Sequence, residues 1–146
     1  MSELAYEDIK IGDEASLTRT ITEVHIVNYA GLTGDMNPVH VDAEHAAQSM
    51  FGERIAHGML VAGLISAVLG TQLPGPNSIY LGQDLNFVAP VKIGDTIKVV
   101  VTVTEKRDDK KIIKLRTTAY NQRGEIVLDG TAVTKKLKPV ARGAAA

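Results

Sequence analysis

Residues 59–69 read Met-Leu-Val-Ala-Gly-Leu-Ile-Ser-Ala-Val-Leu, an apolar run that only Gly63 and Ser66 interrupt. A helix that is apolar around its whole circumference is normally enclosed by other parts of the protein. Because crossing a bilayer takes about 20 residues, this shorter run predicts a central core helix and no membrane span. Residues 73–76 read Leu-Pro-Gly-Pro and end the helix, since proline lacks the amide hydrogen that a helix needs.

The chain after this helix has the pattern of β-structure. Ile97, Val99 and Val101 share one face of a strand, while Lys98 and Thr102 share the other, as expected of a half-buried sheet. Short connections rich in turn-forming residues favour antiparallel neighbours. The predicted strands are residues 78–88, 95–106, 111–120 and 125–136. Together with the central helix, which can cover the sheet, they predict an α+β fold.

The chain before the central helix is predicted to begin with a strand at residues 15–21. Thr22 can then cap a helix that runs to Thr33, and Gly34 can end it in the left-handed conformation. The tetrapeptide Lys-Ile-Gly-Asp precedes this strand and occurs again before the strand at residue 95. We expect both copies to form the same strand-entry turn.

A proline divides the next segment. Pro38 disfavours the helical conformation at Asn37, so we expect residues 35–41 to form an irregular but ordered turn. Asp42 can cap a short helix that runs to Ala47. Residues 53–57 would then form a loop that leads into the central helix.

Composition limits the possible functions. The 146 residues are 45% hydrophobic and 23% charged, as is usual for one globular domain, and we expect residues 1–138 to form it and residues 139–146 to be a frayed tail. The net charge of -1 gives no basic field for nucleic acid or an anionic membrane. Cysteine is absent, which excludes disulfides and thiolate chemistry. The acidic N-terminal residues lack the pattern of a secretory signal, so a cytoplasmic location is expected.

A carboxylate and an imidazole lie on either side of the proline turn. Residues 34–40 read Gly-Asp-Met-Asn-Pro-Val-His, so Asp35 and His40 are held in one local structure. Such a pair can share one water molecule and act on it as base and acid. The alternative is structural, with Asp35 as a turn residue and His40 as a partly buried ring bonded to a backbone carbonyl.

This segment resembles the signature of the MaoC-like dehydratases, in particular the R-specific enoyl-CoA hydratases, in which Gly-Asp-x-Asn-Pro-(Leu/Ile/Val)-His marks the active site. Every specified position of the signature is matched between Gly34 and His40. Further family-like elements are residues 57–60, which read His-Gly-Met-Leu, and residues 78–83, 87–91 and 94–95. The resemblance therefore extends over nearly the whole chain.

The resemblance implies a hot-dog fold, in which an antiparallel sheet wraps the central helix, and a homodimer that joins two such sheets. It implies reversible hydration of trans-2-enoyl-CoA to (R)-3-hydroxyacyl-CoA, as in fatty acid metabolism or polyhydroxyalkanoate precursor supply. Asp35 and His40 would be the catalytic pair, and the amide of Gly58 would donate to the thioester oxygen. Ser66 would support Asp35, and Asn37 would be a second supporting residue.

The role of Gly58 also has a physical basis. The first turn of a helix presents unpaired N–H groups at the positive end of its dipole. A donor fixed there would stabilise the negative charge that develops on a thioester oxygen. The alternative is a glycine that is needed only for close packing or for a turn.

No metal site and no cofactor are expected. The chain has neither the paired histidines of a zinc helix motif nor a glycine-rich phosphate loop, and coenzyme A would be part of the substrate. Arg54, Lys135 and Lys136 are candidates to contact its phosphates, although ordinary solvated charges are the simpler interpretation.

Two other functions stay open at this point. An acyl-CoA thioesterase can use the same fold, because fold alone does not fix the reaction. A non-catalytic acyl-thioester binding domain is the other alternative, and the intact acid–base pair argues against it. The sequence does not decide acyl-chain length or pathway, and the R configuration rests on the resemblance.

Overall fold

An antiparallel sheet packed on one long helix forms the core of the structure, a computed structural model that describes residues 3–139. The predicted α+β hot-dog arrangement is confirmed. Of the predicted tail, residues 140–146 lie outside the described residues. No helix among residues 3–139 is both long and apolar enough to cross a membrane.

The order of the elements follows the sequence pattern closely. A short 3-10 helix at Tyr6–Asp8 precedes them. The strands are β1 (Glu14–Thr20), β2 (Ser78–Gln83), β3 (Asn86–Phe87), β4 (Thr96–Arg107), β5 (Ile112–Tyr120) and β6 (Ile126–Lys136). The helices are α1 (Glu23–Thr33), α2 (Pro38–Val41), α3 (Ala43–Ala47) and α4 (Gly58–Thr71). The sheet has the order β1-β4-β5-β6-β2 with all pairs antiparallel, and β3 also pairs with β6.

The two Lys-Ile-Gly-Asp segments form the same turn, as expected. In each, the aspartate carboxylate accepts a hydrogen bond from the lysine amide, at 2.8 Å for Asp13 and 2.9 Å for Asp95. The glycine of each turn has a positive φ, of 94° and 93°. The first turn leads into β1 and the second directly into β4. All of β1 pairs with the first part of β4, residues 96–102.

The prediction of a single strand over residues 78–88 is wrong, because the chain forms two strands there, β2 and β3. Asp84 lies between β2 and β3, and its Oδ1 accepts a hydrogen bond from the amide of Thr131 at 2.9 Å. A Cβ atom on Gly130 would lie 2.0 Å from the carbonyl oxygen of Asp84. This close crossing of two backbones, which the sequence does not reveal, separates the strands.

Helix α4 is covered on one side only. Val61, Ile65 and Val68 are buried and belong to the core cluster that includes the inward face of β4. The opposite face, with Met59, Gly63, Ser66, Ala67 and Gly70, is exposed. The prediction of a helix enclosed all round is therefore wrong for the single chain, because the sheet covers only one side of it.

Candidate active site

Three residues, in chain order, shape the turn after α1: the glycine that ends α1, the asparagine that caps α2 and the proline that begins α2. Gly34 ends α1 with a φ of 79°. Asn37 has a non-helical conformation, as Pro38 requires, and its Oδ1 accepts a hydrogen bond from the amide of Val39 at 3.3 Å. The segment is not irregular throughout, since Pro38 starts the one-turn helix α2, where its fixed φ and missing amide are favourable. Asn37 thus supports the segment by capping α2.

His40 points into the protein, with 8% of its surface exposed. Its Nδ1 lies 2.8 Å from the carbonyl oxygen of Ile55. A carbonyl only accepts hydrogen bonds, so we assign the proton of the neutral ring to Nδ1, which leaves the lone pair of Nε2 free. The ring is therefore oriented to accept a proton at Nε2.

Asp35 is held on the other side of the turn by short-range and longer-range contacts. Its amide donates to Oγ1 of Thr33 at 3.1 Å, and its Oδ1 accepts from the amide of Asn37 at 3.3 Å. Its carbonyl oxygen lies 3.0 Å from Nε2 of His57. The structure therefore brings Asp35, His40 and His57 together.

Gly58 is the first residue of α4 and lies beside this cluster. The ring of Phe87 packs against it so closely that a Cβ atom on Gly58 would lie 2.5 Å from Cε1 of that ring. The amide of Gly58 belongs to the first helical turn, where amides have no acceptor within the helix. Both interpretations of this glycine, close packing and a donor to the substrate, are compatible with its position.

A cavity of about 610 Å³ joins these groups, a size within the range of small-molecule sites. Asp35, His40, His57 and Gly58 lie in its wall, together with Tyr29. The remainder of the wall is mostly apolar. It includes Met50, Phe51, Ile55, Phe87, Val88, Val91, Val127 and Leu128. The cavity can therefore hold an apolar chain next to an acid–base pair.

Ser66 does not lie in this cavity. It lines a second cavity of about 390 Å³, between α4 and β2, with Tyr80 and Gln83. Ser66 is eight residues beyond Gly58, which corresponds to about 12 Å along the helix. Within one chain the structure therefore does not bring Ser66 to Asp35.

Two of the three residues considered as contacts for coenzyme A phosphates bond to other groups of the protein. Nε of Arg54 donates to the carbonyl of His40 at 2.7 Å, its Nη1 pairs with Glu23 at 2.6 Å, and 14% of the side chain is exposed. Nζ of Lys136 donates to the carbonyls of Pro74, at 3.0 Å, and Pro76. Burial lowers the pKa of Lys136. The interpretation of both as ordinary solvated charges is wrong, because Arg54 bonds the carbonyl of His40 and the carboxylate of Glu23, and Lys136 bonds backbone carbonyls. Contact of either with coenzyme A phosphates stays a prediction.

The third candidate, Lys135, is half-buried on β6. It is seven residues beyond Leu128, which corresponds to about 23 Å along the strand from that part of the cavity wall.

Sequence reasoning missed the role of Arg54, which ties α1 to the backbone of His40. An arginine in a loop gives no local signal for such a contact.

Asp35, His40 and His57 do not form a good metal site, although one potential ligand atom of each lies within 4.8 Å of those of the other two. The rings of His40 and His57 stack with their centroids 3.9 Å apart and their planes tilted by 31°. Ring lone pairs lie in the ring planes, so those of stacked rings run nearly side by side, whereas a tetrahedral ion needs donors that converge. The absence of a metal stays a prediction that this geometry favours.

Comparison with known proteins places the chain among relatives of similar length. The family described as MaoC like domain matches residues 8–123. The (R)-specific enoyl-CoA hydratase of Rhodospirillum rubrum is 53% identical over 127 residues, which are 87% of this chain and 88% of that protein. The 3-hydroxybutyryl-CoA dehydratase of Methylorubrum extorquens is 46% identical over 132 residues, 90% of this chain and 83% of that protein.

The solved structures include similar folds. The structure of the (R)-hydratase from A. caviae involved in PHA biosynthesis has a TM-score of 0.87 and 41% identity to this chain. The similarity covers 90% of this chain and 99% of that one. The similarity in fold therefore extends over nearly the whole of both chains.

Proposed function

The chain belongs to the MaoC like domain family, and we propose that it catalyses the reversible hydration of a trans-2-enoyl-CoA to the (R)-3-hydroxyacyl-CoA. The observation that carries this proposal is the position of Asp35 and His40 at one apolar cavity, next to the start of α4. Hydration of an enoyl thioester needs these three parts: a pair that handles protons, a donor for the thioester oxygen and an apolar space for the acyl chain.

The geometry supports a simple sequence of steps. A water molecule held by the Asp35 carboxylate gives a proton to Nε2 of His40 while its oxygen bonds to C3 of the substrate. The electron pair of the double bond then moves onto the thioester oxygen, where the amide of Gly58 and the dipole of α4 stabilise the negative charge. The protonated His40 finally returns the proton to C2. Atoms and electrons balance without an oxidant, so we propose that no further cofactor takes part.

We also propose that the enzyme is a homodimer. The exposed face of α4 lies beside β2, an edge strand whose Ile79, Tyr80 and Leu81 are 43%, 42% and 51% exposed. An exposed apolar edge of this kind favours pairing with a second sheet. A two-fold axis near Gly63 would place Ser66 next to Met59 of the partner subunit, which lines the cavity that contains Asp35. Ser66 could then support Asp35 across the interface.

The substrate setting is the last part of the proposal. The A. caviae (R)-hydratase takes part in PHA biosynthesis. We propose that this chain likewise acts in fatty acid metabolism, with polyhydroxyalkanoate precursor supply as one outlet for its product. The apolar wall of the cavity supports an acyl chain as the ligand.

The reaction is tested with trans-2-enoyl-CoA thioesters of graded chain length. We expect loss of the absorbance of the conjugated double bond, formation of the (R)-3-hydroxyacyl product on a chiral column, and no free thiol. Release of coenzyme A at the rate of enoyl loss would establish a thioesterase instead. Binding of the thioester without turnover would establish a binding domain.

The dimer is tested by light scattering, which should give about twice the chain mass of 15.6 kDa. Gly63→Arg, on the exposed face of α4, should give a monomer with little activity. Gly31→Arg is the matched control, because Gly31 is an open helical position on α1 and should leave the dimer intact. A fully active monomer at micromolar concentration would contradict the dimer.

A further inference from the structure

His57 contacts each of the groups to which the proposed function gives a role. Its Nε2 lies 3.0 Å from the carbonyl oxygen of Asp35, and its ring stacks on that of His40 at 3.9 Å between centroids. It is also the residue before Gly58, and its own carbonyl accepts the amide of Leu60 at 3.1 Å as α4 begins. One side chain thus links Asp35, His40 and the first turn of α4.

The bonding of His57 fixes its tautomer. The carbonyl of Asp35 only accepts, so the ring carries its proton at Nε2, and Nδ1 is left with a lone pair. The residue is 2% exposed, and among residues 3–139 no donor reaches Nδ1. An unsatisfied buried acceptor destabilises the fold. If this position served packing only, an apolar side chain would be more stable there than a histidine.

Asp35 needs an anchor of this kind. It follows the left-handed residue Gly34 and precedes α2, so no helix or strand fixes its backbone. Its other hydrogen bonds run to Thr33 and Asn37, which are two residues away and share the same turn. The bond from His57 spans 22 residues and ties the turn to the start of α4.

We propose that His57 is a positioning residue for proton transfer. Its Nε2–H holds the backbone of Asp35 at a fixed distance from α4, so that the carboxylate of Asp35 stays beside the imidazole of His40. The inference rests on the proposed function, since it assigns a role within that reaction. It predicts that loss of the Nε2 donor lowers kcat through Asp35 while substrate binding is largely kept.

The experiment separates the donor from the ring. His57→Phe keeps an aromatic ring and removes the donor, whereas His57→Gln places an amide nitrogen near the position of Nε2. With crotonyl-CoA as substrate, we expect His57→Phe to lower kcat by about 10- to 100-fold with KM changed by less than about threefold. His57→Gln should recover kcat to within about fivefold of the parent. Equal effects of the two variants, or parental kcat in a folded His57→Phe protein, would overturn the proposal.

Combining the substitutions at His57 and Asp35 tests whether His57 acts through Asp35, which a merely structural role would not require. In an Asp35→Asn background, His57→Phe should change the residual rate by less than about twofold, because residues that act through one another are not additive. A full additional loss in that background would overturn the proposal. His25→Phe is the matched control. The ring of His25 likewise has a hydrogen bond to the backbone, since its Nδ1 accepts from the amide of Thr22 at 3.1 Å, but it lies outside the cavity. The activity of His25→Phe should therefore be parental.

Folding failure is covered by a second pair of variants. If His57→Phe does not fold, His57→Asn, whose amide is too short to reach Asp35, is compared with His57→Gln. A lower kcat for asparagine alone supports the proposal, and equal rates overturn it. If the parent protein does not hydrate enoyl-CoA at all, the proposed function fails. Parental hydration with no effect at His57 refutes the positioning role alone.

Discussion

Phe87 lies directly over Gly58, so that a Cβ atom on the glycine would be 2.5 Å from Cε1 and 2.6 Å from Cδ1 of the ring. Phe87 belongs to β3 and pairs with Leu128 of β6, which lines the same cavity. The start of α4 and the cavity wall therefore meet at this contact. Phe87 is 55% exposed, so its side chain is not fixed in a closely packed core.

Gly58→Ala should therefore fold but bind substrate less well, because the displaced ring enters the cavity. We expect KM to rise about tenfold, and Phe87→Leu in the same chain should restore much of the loss. Steady-state hydration kinetics of the three variants provide the measurement. If the second substitution gives no relief, the effect of the methyl group does not run through Phe87.

Gly58→Pro tests the amide itself. Proline is well tolerated at the first position of a helix, so the fold should survive, especially with Phe87→Leu to make room. Loss of one donor to a developing oxyanion lowers the rate by a factor of about 100 to 1,000. Near-parental turnover of a folded proline variant would show that Gly58 is not the donor.

Asp35→Asn and His40→Gln should each lower the hydration rate by roughly a hundredfold to ten-thousandfold, because each removes a group that exchanges or holds the proton. The melting temperature and the dimer mass should stay close to those of the parent. The double variant should be little worse than the poorer single variant, since the two residues act on one water. His40→Asn can keep a donor to the carbonyl of Ile55 and so checks that the loss is chemical. Independent, multiplying effects would contradict the shared water.

Gly130→Ala should destabilise the fold by about 3 kcal/mol or more, since a Cβ atom would lie 2.0 Å from the carbonyl oxygen of Asp84 and both groups are backbone-bound. Urea unfolding measures the change. Gly31→Ala is the control, because no other atom lies within 4 Å of its Cβ position. In a helix, that change should be stabilising by up to about 1 kcal/mol. Equal stabilities of the two variants would refute the close crossing.

Tyr6 should make stability fall at high pH. Burial, and next the hydrogen bond from its hydroxyl to Asp108 at 2.7 Å, raise the pKa of Tyr6 to about 12. The unfolded chain ionises this residue near pH 10, so the contribution of Tyr6 is complete below pH 10 and is lost as the pH rises toward 12. The difference in unfolding free energy between the parent and Tyr6→Phe should be constant to about pH 9.5 and decline above it. A constant difference up to pH 11 would contradict the raised pKa.

The sequence was sufficient for those parts of the molecule that local chemistry determines. The apolar run at residues 59–69 and the proline at 74 predicted α4 to within two residues at its C-terminal end, and Gly34 and Thr22 marked the limits of α1. The contacts of Arg54 with His40 and of His57 with Asp35 could not be predicted. They join residues 14 and 22 positions apart, and only the packed loop brings them within bonding distance.

The same limit applies to Ser66. The family resemblance implied that Ser66 supports Asp35, but a helix advances about 1.5 Å per residue, so a two-turn separation becomes a distance that one side chain does not span. The apolar pattern of a helix is the same whether its face is covered by the same chain or by another copy, so the sequence does not distinguish the two cases. The gap between β2 and β3 was hidden for a related reason, since it depends on the distance between Asp84 and Gly130.

The groups proposed to handle protons all lie between Asp35 and Gly58, whereas the far wall of the cavity comes from Phe87, Val127 and Leu128 on β3 and β6. The reacting groups and this far wall thus come from two separate parts of the chain, although Met50, Phe51 and Ile55 add to the wall from the reacting loop itself. This division makes the protein modular. Protein engineers could redraw the wall on the sheet to accept longer, shorter or branched acyl groups while leaving the reacting loop untouched.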